Sequence, residues 1–172
     1  DSSDGEAGSV LVQPGKSGIG IGAALKMSAG DSSSDDVGGS LTLSSGGGAA
    51  ASSGTVRLGS GDGGEVGSSG AVFVGSGKVA TGSSGQVEII TGVAKEGSAG
   101  EIRVVAGQSD SDQGADISIQ GGSVAGKQAG GSVMLESGKS LQGSSGRVTV
   151  ASADSELASG MVTVASGNSS SG

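Results

Sequence analysis

The sequence predicts an all-β chain: a single-stack parallel β-solenoid (β-helix) of about eleven coils, 15–16 residues each, with a thin, flattened core. Three observations predict it. An apolar pair of the form V-x-V recurs at a near-constant interval from one end of the chain to the other. Apolar and polar residues alternate with period two within each pair. Gly and Ser fill the intervals at a constant phase.

The interval comes first. The first members of the pairs are Val10, Leu25, Leu41, Val56, Val72, Val87, Ile102, Ile117, Val133, Val148 and Val162, at successive spacings of 15, 16, 15, 16, 15, 15, 15, 16, 15 and 14 residues. The second members are Val12, Met27, Leu43, Leu58, Val74, Ile89, Val104, Ile119, Leu135, Val150 and Val164. These copies fill residues 1–172 as one continuous repeat array, the expected form of a segment of a longer chain or filament, with DSSDGEAG and GNSSSG reading as uncapped ends.

Alternation assigns the strands. Period two is strand periodicity, and no stretch places apolar residues at helical spacing. The phrase G-x-V-x-V-x-[small]-G always repeats in one polarity, as in GTVRLGSG, GAVFVGSG, GQVEIITG, GEIRVVAG, GSVMLESG, GRVTVASA and GMVTVASG, so the strands do not read as hairpins. Parallel stacking is therefore expected, with the eleven apolar pairs as the core ladder. In that arrangement Ile89→Asp disrupts the ladder locally and Glu88→Gln is nearly silent.

Small residues supply the corners. Ser60, Ser76, Thr91, Ala106, Ser137, Ser152 and Ser166 follow the pairs at one phase. The next glycines are the expected corners with unusual dihedrals: Gly46, Gly61, Gly77, Gly92, Gly107, Gly122, Gly138 and Gly167. The looser half of each repeat ends in Gly-Ser-Ser-Gly or a relative, at 51–54, 67–70, 82–85, 97–100 and 143–146. Its constant phase marks it as a turn element.

Composition pulls the other way. Of 172 residues, 39 are Gly and 36 are Ser. Val, Ile, Leu and Phe make up about a fifth of the chain, near the level below which a chain does not bury enough to fold. Two aliphatics per coil do not offset the ordering of a single coil, so stability is expected to come from neighbouring coils and continuous hydrogen-bond ladders. Outward positions give one favourable vertical neighbour, Glu88 with Arg103, and one unfavourable, Glu101 with Asp116.

Chemistry is sparse. There is no Cys and no His, and Phe73 is the one aromatic residue. A formal net charge of −8 with scattered cations disfavours nucleic acid and anionic membranes. No apolar run approaches transmembrane length, so no membrane insertion is expected. Gly59 to Gly64 matches G-x-G-x-x-G and Gly121 to Lys127 resembles a P-loop start, but neither has a helix pattern behind it and both are chance matches in a Gly-rich chain. The acidic groups Asp31/Asp35/Asp36, Asp110/Asp112 and Asp154/Glu156 lie in the loose halves and read as solvated edges, weak calcium binding being the functional alternative. Asn168 heads the glycosylation sequon Asn168-Ser169-Ser170. No catalytic, metal-binding or cofactor-binding residue is expected, and no enzyme.

The phrase G-S-S-G-x-V-x-V-x-S-G, seen in GSSGAVFVGSG and GSSGRVTVASA, resembles the Gly/Ser-rich tandem repeats of large secreted surface proteins of algae and other protists, including those of extracellular fibrils and flagellar hairs (mastigonemes). The resemblance spans nearly the whole chain and implies a fibrous, glycosylated, extracellular or cell-surface role. It carries over no catalytic or binding residue. The first repeat departs from it, with Ile19 and Ile21 where other copies have small residues, and the last repeat is short.

The expected function is a structural component of an extracellular filament or surface appendage, self-associating by end-to-end stacking of coils through open β-edges. The alternatives are an ice-binding solenoid and the stalk of an adhesin. The middle residues of the pairs run Lys26, Thr42, Arg57, Phe73, Glu88, Arg103, Ser118, Met134, Thr149 and Thr163, too uneven a rank to match an ice lattice. A stalk has the same chemistry as a filament segment.

Overall fold

The computed structural model describes residues 5–110 and 113–169. Among them there is no helix and no β-strand. This corrects the expectation of a β-solenoid: the described chain is an irregular coil, and the parallel ladder is not formed.

Hydrogen bonding shows why. The four backbone hydrogen bonds among the described residues run from the amides of Gly39, Gly54, Gly131 and Gly146 to the carbonyls of Gly30, Gly46, Gly122 and Gly138, at 2.8–2.9 Å. Each spans eight or nine residues inside one repeat, whereas a solenoid needs bonds between equivalent residues of adjacent repeats. A folded domain has roughly one hydrogen bond per residue. Here the backbone is left mainly to water.

The apolar pairs remain in solvent. No described side chain is buried, and the expected ladder residues, from Val10 to Val164, are between 49% and 92% exposed. The accessible surface is 17535 Å², against about 7,300 Å² for a compact globule of this mass. Composition outweighs periodicity: an aliphatic pair every fifteen or so residues, separated by Gly and Ser, does not bury enough to offset ordering of the intervening chain.

The repeat is nevertheless written into the backbone. From the first pair onward, sharp bends fall at 18–20, 33–36, 49–51, 65–67, 80–82, 95–97, 125–128, 141–143 and 156–157, with a further bend at Asp110. Each begins eight or nine residues after the first member of a pair. The unit is thus a V-x-V phrase, a small residue, a bend, and a return to the next phrase.

The chain divides into two compact units, Asp1–Val87 and Glu88–Gly172. The division falls within GQVEIITG. Each unit is a succession of the same repeat, with no core of its own among the described residues.

Candidate functional site

The candidate site is the repeat unit itself, and its defining contact joins a small residue to a glycine. In the first unit these pairs are Ala29 with Gly39, Ser45 with Gly54, Ser60 with Gly70, and Ser76 with Gly85. A Cβ built on each glycine would lie 3.3–3.8 Å from the Cβ of its partner. In the second unit, Thr91 meets Gly100, Ser137 meets Gly146 and Ser152 meets Gly160, with corresponding approaches of 3.3–3.9 Å. Gly121 meets the backbone of Gly131 in the same phase.

One rule describes all eight contacts. The small residue lies four positions after the first member of a pair, and the glycine lies two positions before the first member of the next pair. The contact closes a loop around eight of the bends. In four of the loops the backbone hydrogen bond lies immediately beside it.

Shielding follows the contact rather than the aliphatics. Ser17, Ala29, Ala106, Gly121 and Ser137 are the partly shielded residues among those described, and all the others are exposed. Four of these five occupy the small-residue phase. Sequence reasoning placed small residues at corners, but did not single out this contact. The constant phase of the glycine before nine of the eleven pairs was the signal available for finding it.

The two ends of Gly-Ser-Ser-Gly serve different needs. The first glycine closes a bend: Gly67 and Gly82 have φ of 142° and 106°, a region that L-residues rarely enter. The last glycine makes the close approach, as at Gly70 and Gly85. In the next repeat the left-handed residue is Glu96, with φ 56°, directly before Gly97.

The expected corner glycines act differently from the expectation. Gly46, Gly61, Gly77, Gly92, Gly107, Gly122, Gly138 and Gly167 have no φ in the left-handed region, and a Cβ added to any of them meets nothing within 4 Å. Gly46, Gly122 and Gly138 contribute carbonyl acceptors to the closing bonds. The unusual dihedrals sit at the bends instead.

The aliphatic pairs keep a weak sidedness. From Leu25 onward, the first member of every pair is less exposed than the second, as in Val148 at 49% and Val150 at 68%. Phe73, between Val72 and Val74, is 92% exposed. Arg103 makes an ion pair with Glu101, Nε to Oε1 3.6 Å, in place of the expected neighbour Glu88. A separation of two residues puts both side chains on one side of an extended backbone.

The polar loop around Ser34 holds local contacts. Ser34 Oγ donates to Asp36 Oδ2 at 3.1 Å and lies 3.1 Å from Ser32 Oγ. The Ser34 and Asp36 amides donate to Ser32 Oγ and Ser34 Oγ, both at 3.3 Å. Such turns satisfy serine and aspartate without a ligand. No group of acidic residues is arranged to hold a metal among the described residues. Asp112 lies outside the described residues, and so does Ser170 of the sequon, whereas Asn168 is exposed. No helix follows the glycine runs ending at Gly64 and Lys127. No described helix is long and apolar enough to cross a membrane.

Comparison with known protein families, curated proteins and solved structures finds no match to this chain.

Proposed function

We propose that this chain is a structural segment of an extracellular filament or surface appendage, and that its partner is further copies of itself. The observation that supports this reading is the regular rank of solvent-facing aliphatic pairs, repeated throughout the chain at 15–16 residues with no buried partner among the described residues. Apolar residues in regular rows gain free energy by leaving water, and one period shared by two copies sets their register. End-to-end stacking of preformed β-edges has no place in this reading, because the described chain has no strand. The Ser-rich loops are the hydrated surface, and Asn168 and the exposed hydroxyls are the positions for attached sugar.

Sedimentation velocity across a wide concentration range, with electron microscopy of the same samples, tests the proposal. Concentration-dependent growth into filaments is expected. A chain that sediments as a monomer at every concentration and leaves no filaments on the grid overturns it.

A further inference from the structure

We propose that each closed loop is a unit of stored length, opened by tension and reclosed when tension is removed. The inference deepens the structural reading above by assigning the filament segment extensibility. It is a property of one chain and can be measured without assembly.

The geometry supplies the device. Eight loops share one closure, a glycine set against a small residue across a bend. In four of them a backbone bond at 2.8–2.9 Å ties the ends. The residues inside the loops are exposed, so opening a loop uncovers no core. Each loop also closes within its own repeat, so one can open without its neighbour.

The length follows from chain dimensions. Between Gly46 and Gly54 lie eight peptide steps, about 27 Å when extended at roughly 3.4 Å per residue. Closed, the tied ends stand about 5 Å apart. Opening releases about 20–25 Å per loop. A single exposed amide–carbonyl bond is weak, because water competes for both partners, so loops open and reclose readily instead of breaking in one catastrophic event. Many weak closures in series make a chain that lengthens gradually and recovers.

The chain is tethered singly by its ends and its extension measured against force in an optical trap. Wild type is compared with a variant carrying Gly39→Val, Gly54→Val, Gly131→Val and Gly146→Val, which fill the close approach in the four bonded loops. A control carries Gly61→Val, Gly77→Val, Gly92→Val and Gly107→Val, where an added Cβ meets nothing within 4 Å. Expected is a loop-blocked variant longer than wild type at intermediate force, by up to roughly 90–100 Å from four loops. The control should superimpose on wild type, and all three should converge at high force. Superimposable curves for wild type and the loop-blocked variant overturn the proposal. So does a control displaced as far as that variant, since the effect is then one of added valine and not of closure. Either result leaves the filament reading to its own sedimentation test.

Discussion

A Cβ on Gly146 would stand 3.3 Å from the Cβ of Ser137, and beside that contact the Gly146 amide donates to the Gly138 carbonyl at 2.9 Å. The chain approaches itself through its smallest residues. Glycine at 146 leaves room for the bond, and a short serine at 137 brings the two backbones near enough to make it. The larger aliphatics, Val148 and Val150, stand outside this contact and in water.

The closing bond should respond asymmetrically to alanine. At Gly131 an added Cβ would come 2.9 Å from the Gly122 amide nitrogen, closer than real Cβ atoms approach, whereas at Gly122 it meets nothing. Gly131→Ala is expected to remove the bond and shift the closed-to-open ratio about two- to tenfold, the worth of one exposed hydrogen bond. Gly122→Ala should leave it in place. The temperature coefficient of the residue 131 amide proton reads both, and an equal response to the two substitutions counts against the closure described here.

Backbone handedness gives a second contrast. Gly82, at φ 106°, sits where a side chain is strained, and Glu96, at φ 56°, already bears such a side chain. Gly82→Ala should oppose closure of the loop from Ser76 to Gly85 by about 1–2 kcal/mol, and Glu96→Gly should favour closure of the loop from Thr91 to Gly100 by about 1 kcal/mol. Three-bond HN–Hα couplings at residues 82 and 96, with nuclear Overhauser contacts between the Gly85 Hα and Ser76 Hβ protons and between the Gly100 Hα and Thr91 side-chain protons, report the two changes. Movement in the same direction for both substitutions would show that φ is not what limits closure.

Heating should produce no cooperative transition in the isolated chain. Cooperative melting comes from a shared core, and no described side chain is buried. Ile89 is 73% exposed, so Ile89→Asp and Glu88→Gln should both leave the monomer's circular dichroism unchanged across the temperature range. Under the proposed self-association, Ile89→Asp alone should raise the concentration at which filaments appear. A sharp melt of the monomer, abolished by Ile89→Asp, would restore the inward-facing ladder.

The Arg103–Glu101 pair should contribute little. Both side chains are 71% exposed and 3.6 Å apart, so the attraction is weakened by water and salt. Arg103→Ala is expected to alter chain dimensions, measured by small-angle scattering, by no more than adding salt does. A large expansion on substitution would require further partners for Arg103.

Much of the repeat was legible from residue order. The positions of Gly67 and Gly82 at a constant phase marked a turn, and the backbone bends there with positive φ. The small-residue phase was also legible, through Ser60, Ser76 and Thr91. The partner of each was not. Gly70, Gly85 and Gly100 look in sequence like the start of the next strand phrase, and their role as the far side of a loop follows from where the chain returns. The corner assignment failed for a related reason: Gly46 and Gly138 needed no unusual dihedral, since they act through their carbonyls.

The sequence by itself determined the unit, its 15–16-residue period and the side-by-side placement of Gly, Ser and aliphatics within it. Only the tertiary structure decided which repeats meet. Periodicity states which residues are equivalent, and a solenoid requires equivalents to stack. Here the backbone bonds form within a repeat, between Gly146 and Gly138 and their counterparts, over eight or nine residues. A short loop of glycine and small residues closes at low entropic cost. Stacking would order whole repeats for two aliphatics each, and too little apolar surface is available to offset that ordering.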